Sequence, residues 1–193
     1  MIATGSESSP FGEIRDLNRA FLTYLKLCIA ERADCLGLPA AARHLLKACD
    51  TATLDAVADL PRALFKVDLD ADRAPVSQIR DPVPAQLDSA HRAIRVTIAF
   101  GVWNLCRQSV YQARFLLALD SRSIQRLRSV PIGDVHRLAD APRLVSCAFP
   151  TREWLWTDLL TETRPEARRR LLLVALQPRL ESEWPRRTVN LHR

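Results

Sequence analysis

The chain has 193 residues, 48% of them hydrophobic, with 5 glycines and a formal net charge of +6. That apolar content suffices for a buried core and excludes a chain disordered as a whole. Scarce glycine argues against phosphate-cradling loops, and Leu, Ala and Arg, all good helix formers, dominate, so the expected fold is all-α.

Residues 1–10 are polar and read as a flexible lead without the basic-then-apolar order of a signal peptide. Residues 11–67 form a first helical block. Leu17, Phe21, Leu25 and Cys28 recur at three- and four-residue steps and predict one amphipathic helix, broken at Gly37-Leu38-Pro39. Ala40 to Ala48 predicts a second helix. Asp50 or Thr51 caps a third, which carries Leu54 and Val57 and ends at Pro61. Leu64 to Leu69 reads as extended. Residues 68–90 hold three prolines and surplus Asp and form a Pro/Asp-rich linker.

Residues 91–163 form the second block. Ile98, Val102, Leu105, Cys106, Val110, Ala113 and Leu117 predict one long helix, the longest buried face of the chain. Asp120 or Ser121 caps a short helix with Ile124 and Leu127, and Pro131 separates it from another with Val135 and Leu138. Leu144 to Phe149 reads as extended. Thr151 is the expected cap of a helix bearing Trp154, Leu155, Trp156, Leu159 and Leu160. Thr163 and Glu166 match a capping box for a last helix within residues 164–193. The two blocks echo each other: Ala42 to Leu46 against Ala113 to Leu117, then Asp50, Leu54, Val57 and Pro61 against Asp120, Ile124, Leu127 and Pro131. Duplication explains this, as does coincidence in a chain so rich in Leu and Ala.

No apolar run is long enough to cross a membrane, and Cys28, Cys35, Cys49, Cys106 and Cys147 fall in or beside apolar stretches without a CxxC pair. These features predict a cytoplasmic protein with free buried thiols. Cys28, Cys35, His44 and Cys49 have the wrong spacing for a structural zinc site. Asp68, Asp70 and Asp72 lack the glycine and terminal Glu of a calcium loop. His44, His91, His136 and His192 are scattered, and nucleophile elbows and nucleotide loops are missing. The sequence therefore predicts no enzyme activity, no cofactor, no metal and no small-molecule substrate.

Two features invite a functional reading. The long helix and two short ones from Ile98 to Leu138 form a trihelical, helix-turn-helix-like unit that could lay a short helix in the major groove, with Arg122, Arg126, Arg128 and Arg137 as its cations. A helical packing unit with Arg on its wet face fits the same residues. The C-terminal segment from Arg164 to Arg193 holds eight Arg against three Glu, including Arg168, Arg169, Arg170, Arg186 and Arg187. It suits phosphates or acidic protein, though a coding preference for Arg over Lys leaves the same trace. Trp154 and Trp156 stand two apart and cannot share a helix face, so these two and Trp184 are candidate partner anchors or internal packing groups.

The second block resembles FlhD, the D subunit of the bacterial flagellar master transcriptional activator, over about 50 residues. The resemblance runs through Leu105 to Gln108, Ala113 to Asp120, Val130-Pro131, Val135 to Asp140 and Leu144 to Phe149. Ala118 stands where that family has Gly, and one extra residue lies between Val135 and Leu138 and another between Leu144 and Cys147. Leu17 to Pro61 resembles the same pattern more weakly. The resemblance implies a helical subunit that dimerises, joins an FlhC-like subunit and helps bind duplex DNA to activate transcription. The alternative is a protein-interaction module without nucleic acid, such as a secretion-system adaptor, chaperone or effector.

Overall fold

A computed structural model describes residues 10–31, 35–69, 89–140 and 144–176. The first half runs α1 (Pro10–Ala30), α2 (Ala40–Ala48), α3 (Thr51–Ala58) and β1 (Phe65–Val67). The second runs α4 (Ser89–Gln108), α5 (Val110–Leu117), α6 (Ser121–Ser129), a 3-10 turn (Ile132–Asp134), α7 (Val135–Asp140) and β2 (Val145–Cys147). Then come α8 (Glu153–Thr161) and α9 (Pro165–Leu176). The protein is mostly helical, as the composition predicts, and the described residues also hold one two-stranded sheet. The linker's residues 70–88, the lead's residues 1–9 and the segment 177–193 lie outside the described residues.

The sequence echo has a structural counterpart. β1 and β2 pair antiparallel, Phe65 with Cys147, Lys66 with Ser146 and Val67 with Val145. Their flanks are tied by matching bonds: the Asp68 N–H donates to Leu144 O at 2.9 Å, and the Ala148 N–H to Leu64 O at 3.0 Å. In LFKVDL against LVSCAF these are equivalent positions exchanged. α1 and α4 also run antiparallel. Gln108 Nε2 donates to Glu13 Oε1 at 3.1 Å at one end, Leu17 lies against Gly101 in the middle, and His91 Nδ1 is 3.5 Å from Glu31 Oε2 at the other. At Gly101 a Cβ would run into the Leu17 side chain, so the missing side chain permits the close approach. The two halves are thus joined by two antiparallel contacts, α1 on α4 and β1 on β2. Buried positions agree: Asn18, Phe21, Leu22 and Leu25 of α1 match Arg95, Ile98, Ala99 and Val102 of α4. α7 has no counterpart in the first half. It packs on α4 and is clamped there by Arg92, whose Nε and Nη2 reach the two Asp140 oxygens at 3.0 and 3.2 Å.

The two sequence blocks share one hydrophobic core, in which both strands, α1, α4, α6 and α8 are represented. Four differences from the sequence reading have local causes. The single long helix through Ile98 and Leu117 is two: Ser109 is extended, and its Oγ accepts from the Gln112 N–H at 3.3 Å, supplying the first turn of α5 with the partner a helix interior would give. α8 opens after Arg152, which makes no side-chain cap, so Thr151 is not its cap. α9 opens at Pro165, whose fixed φ and missing N–H suit a first helical position. The expected Thr163–Glu166 box is displaced by Glu162, whose Oε1 accepts from the backbone N–H groups of Thr163 and Arg164 at 3.0 and 2.9 Å. The caps at Asp50 and Asp120 stand as expected: their Oδ1 atoms accept from Thr53 and Ser123 at 2.8 and 2.7 Å.

Candidate nucleic-acid interface

The break at Ser109 leaves α5 as a separate helix, joined to α6 through Ala118, Leu119 and Asp120. Ala118 turns the chain at φ 56°, ψ 30°, a left-handed conformation that favours glycine. Leu119 is buried and Asp120 caps α6. Two short helices with a three-residue turn form a helix-turn-helix pair, braced from behind by Trp103, whose Nε1 donates to Val130 O at 2.9 Å.

α6 is strongly two-sided. Ile124 and Leu127 are buried, while Ser121, Arg122, Gln125, Arg128 and Ser129 are exposed. Arg122, Gln125 and Arg128 follow at three-residue steps and line one outward stripe. Gln125, a neutral residue, was not singled out from the sequence with these arginines. Its signal was the same spacing that marks Arg122 and Arg128, read on the polar side of the helix.

The other predicted cations separate. Arg126 is half-buried and its Nη1 donates to Leu69 O at 2.5 Å, so it ties α6 to the end of the β1 segment. Arg137 pairs with Asp134 at 3.1 Å within its own turn. Arg168 is buried, only 4% exposed, and its Nε donates to Leu159 O at 3.1 Å, which removes it from any DNA-contacting surface. The guanidinium stands where α9 crosses the end of α8, and its partner is a carbonyl that α8 leaves open. Arg169 reaches Asp59 at 3.5 Å, and Arg170 is exposed. Arg186, Arg187 and Trp184 lie outside the described residues. Trp156 is fully buried with Nε1 donating to Phe149 O at 3.2 Å, so it is a core residue and not a partner anchor. Trp154, facing the other way, is 42% exposed.

Charge is divided between the halves. Residues 10–69 hold eight cations against eight carboxylates, residues 89–140 eight arginines against three carboxylates. The acidic linker masks this in the sequence totals. At the offset of the sequence echo, Arg122, Gln125 and Arg128 of α6 stand against Ala52, Asp55 and Ala58 of α3. Asp55 is bound by Arg19 at 3.0 Å, and Asp59 by Arg169. α6 thus keeps an exposed cationic stripe, whereas the single carboxylate of α3 and its C-cap Asp59 are each bound by an arginine of the protein.

No family model, curated protein or solved structure matches the chain.

Among the described residues, no helix is long and apolar enough to cross a membrane, and no group of three or more His, Cys, Asp or Glu is placed to hold a metal ion. The five cysteines form no disulfide, and burial pushes the Cys106 thiol up to about 12.

Proposed function

We propose that the protein is a transcriptional regulatory subunit that contributes α6 to duplex DNA binding, in association with a partner protein. The observation that carries this reading is the exposed Arg122–Gln125–Arg128 stripe on the second helix of a helix-turn-helix pair, in the half with the cationic excess. Arg and Gln have donor geometries suited to guanine and adenine edges in the major groove, and the surrounding arginines suit phosphates. The resemblance of this same segment to FlhD supports the assignment, since the left-handed Ala118 stands where that family carries Gly. It also suggests an FlhC-like subunit as partner and the cytoplasm as the place of action.

Mobility shift of duplex DNA at low salt, with the chain alone and with any co-purifying protein, tests the proposal. The reading requires a shift that weakens as salt is added. Absence of a shift in both states overturns it.

A second reading, a protein-interaction module without nucleic acid, is favoured by one observation. Tyr111 and Phe115 on α5 are unusually exposed for aromatic residues. These side chains are not part of the α6 stripe, so a partner contact through α5 and DNA binding through α6 are tested separately.

A further inference from the structure

The end of the α1–α4 seam opposite Glu13 and Gln108 holds a cluster of polar groups that DNA binding does not use. Tyr24 and Cys28 lie one turn apart in α1, Glu31 follows its end, and His91 and Arg95 lie one turn apart at the start of α4. All of these but Glu31 are buried. Cys28 Sγ stands 4.0 Å from His91 Nε2, and the other ring nitrogen, Nδ1, stands 3.5 Å from Glu31 Oε2. The Tyr24 ring meets the His91 ring edge-on at 5.2 Å, and its hydroxyl is within hydrogen-bonding reach of both Cys28 and Arg95.

Thiol, imidazole and carboxylate thus follow in the order of a nucleophile, its base and the group that orients the base. The Glu31 carboxylate favours the tautomer with the proton on Nδ1, which leaves the Nε2 lone pair facing the sulfur. The Tyr24 hydroxyl can donate to the sulfur once the thiol proton has gone. Cys28 is only 2% exposed, which excludes a bulky electrophile. A reagent of a few atoms needs only the end turns of two helices to open, and helix ends open at the least cost.

We propose that Cys28 is an oxidation site, a thiol that His91 activates toward small hydroperoxides. The thiol proton passes to His91 Nε2, and the sulfur attacks one oxygen of hydrogen peroxide. The S–O bond forms as the O–O bond breaks, and the departing hydroxide takes the proton back from His91 and leaves as water. The sulfur gives up two electrons and becomes a sulfenic acid, while the peroxide is reduced. Glu31 is a positioning residue that holds the imidazole in place. None of Arg122, Gln125 and Arg128 takes part, so this chemistry stands or falls independently of DNA binding.

Treatment of the full chain with hydrogen peroxide, with sulfenic acid trapped by dimedone and located by peptide mass spectrometry, tests the proposal. Cys106 is the internal control, since it is also buried and burial pushes its thiol up. Cys28 is expected to be trapped faster than Cys106 by about tenfold or more. His91→Gln should bring the Cys28 rate down toward that of Cys106. Glu31→Gln, a change at a half-exposed side chain, should move the pH of half-maximal rate upward, because the imidazolium that stabilises the thiolate loses its own carboxylate. A purely structural Glu31 would not move that midpoint, and it decides the matter should His91→Gln not fold. A Cys28 trapped no faster than Cys106 overturns the proposal. So does a fast Cys28 whose pH midpoint is unchanged by Glu31→Gln, because local opening alone then accounts for its rate.

Discussion

Asn18 holds Leu64 across the first half of the molecule: its Oδ1 accepts from the Leu64 N–H at 2.8 Å. The same side chain donates through Nδ2 to Ala58 O at 3.2 Å and Arg62 O at 2.9 Å, and it is fully buried. One carboxamide thus fixes the chain between α3 and β1 onto α1 and brings β1 to its place against β2.

Removing that carboxamide leaves the buried Leu64 N–H and the carbonyls of Ala58 and Arg62 without this partner. Each such loss costs about 1–3 kcal/mol, with partial relief from relaxation. Asn18→Ala is expected to destabilise the protein by about 3 kcal/mol, read as a lowered urea midpoint at unchanged slope. A loss below about 1 kcal/mol would mean that the turn holds without Asn18.

Ala118 offers the opposite change. Its left-handed backbone costs a Cβ-bearing residue about 1–2 kcal/mol, partly offset by the greater chain entropy of glycine in the unfolded state. Ala118 is exposed, so its methyl group contributes little packing. Ala118→Gly is expected to stabilise by about 1 kcal/mol and Ala118→Val to destabilise, both visible in thermal unfolding. A less stable glycine variant would contradict the turn geometry.

The two neighbouring tryptophans separate sharply. Trp156 is fully buried and hydrogen-bonded to Phe149 O, so Trp156→Ala should cost about 4 kcal/mol. Trp154 is part-exposed on the far side of α8, and Trp154→Ala should stay within about 0.5 kcal/mol of wild type. Chemical denaturation of both variants checks this. Equal costs would mean that α8 is rotated from the position described.

Acid should loosen three helix starts together. Asp50 is held below the ordinary carboxylate range by its hydrogen bonds with the Thr53 hydroxyl and N–H, and Asp120 by those with the Ser123 N–H and hydroxyl. Glu162 is lowered to about 2, first by its hydrogen bonds with Arg164. In each case the unfolded chain takes up its proton at a higher pH than the folded one. The stability these groups contribute is therefore complete above the unfolded pKa, about 4, and is lost as pH falls through that value toward the folded one. The urea midpoint should be insensitive to these groups between pH 5 and 7 and drop between about pH 4 and 2. Replacing all three by their amides should flatten that drop, and an unchanged drop would contradict the assignment.

The sequence made some of this legible and hid the rest for physical reasons. The caps at Asp50 and Asp120 were readable because a short acceptor before an apolar periodic run has few other roles. Leu64–Leu69 and Leu144–Phe149 were readable as extended, but not as partners, since pairing across the chain leaves no local trace. Ser109 was read through because the apolar stripe continues on both sides of it, although its hydroxyl ends one helix and starts the next. Arg168 looked like one member of a basic triplet. Its burial is decided by where α9 crosses α8, a tertiary fact. The echo of Ala42 to Leu46 in Ala113 to Leu117 was legible in the residues, whereas the α1–α4 and β1–β2 contacts that join the halves leave no local trace.

Equilibrium binding of the full chain to labelled duplex DNA, followed by anisotropy at low salt, tests the central claim most directly when the α6 stripe is reversed in charge. Arg122→Glu/Arg128→Glu should reduce affinity at least tenfold, while Arg15→Glu, an exposed change on the charge-neutral half, should leave it near wild type. Equal losses from both variants, or no binding by the wild type with or without a partner subunit, would contradict the account.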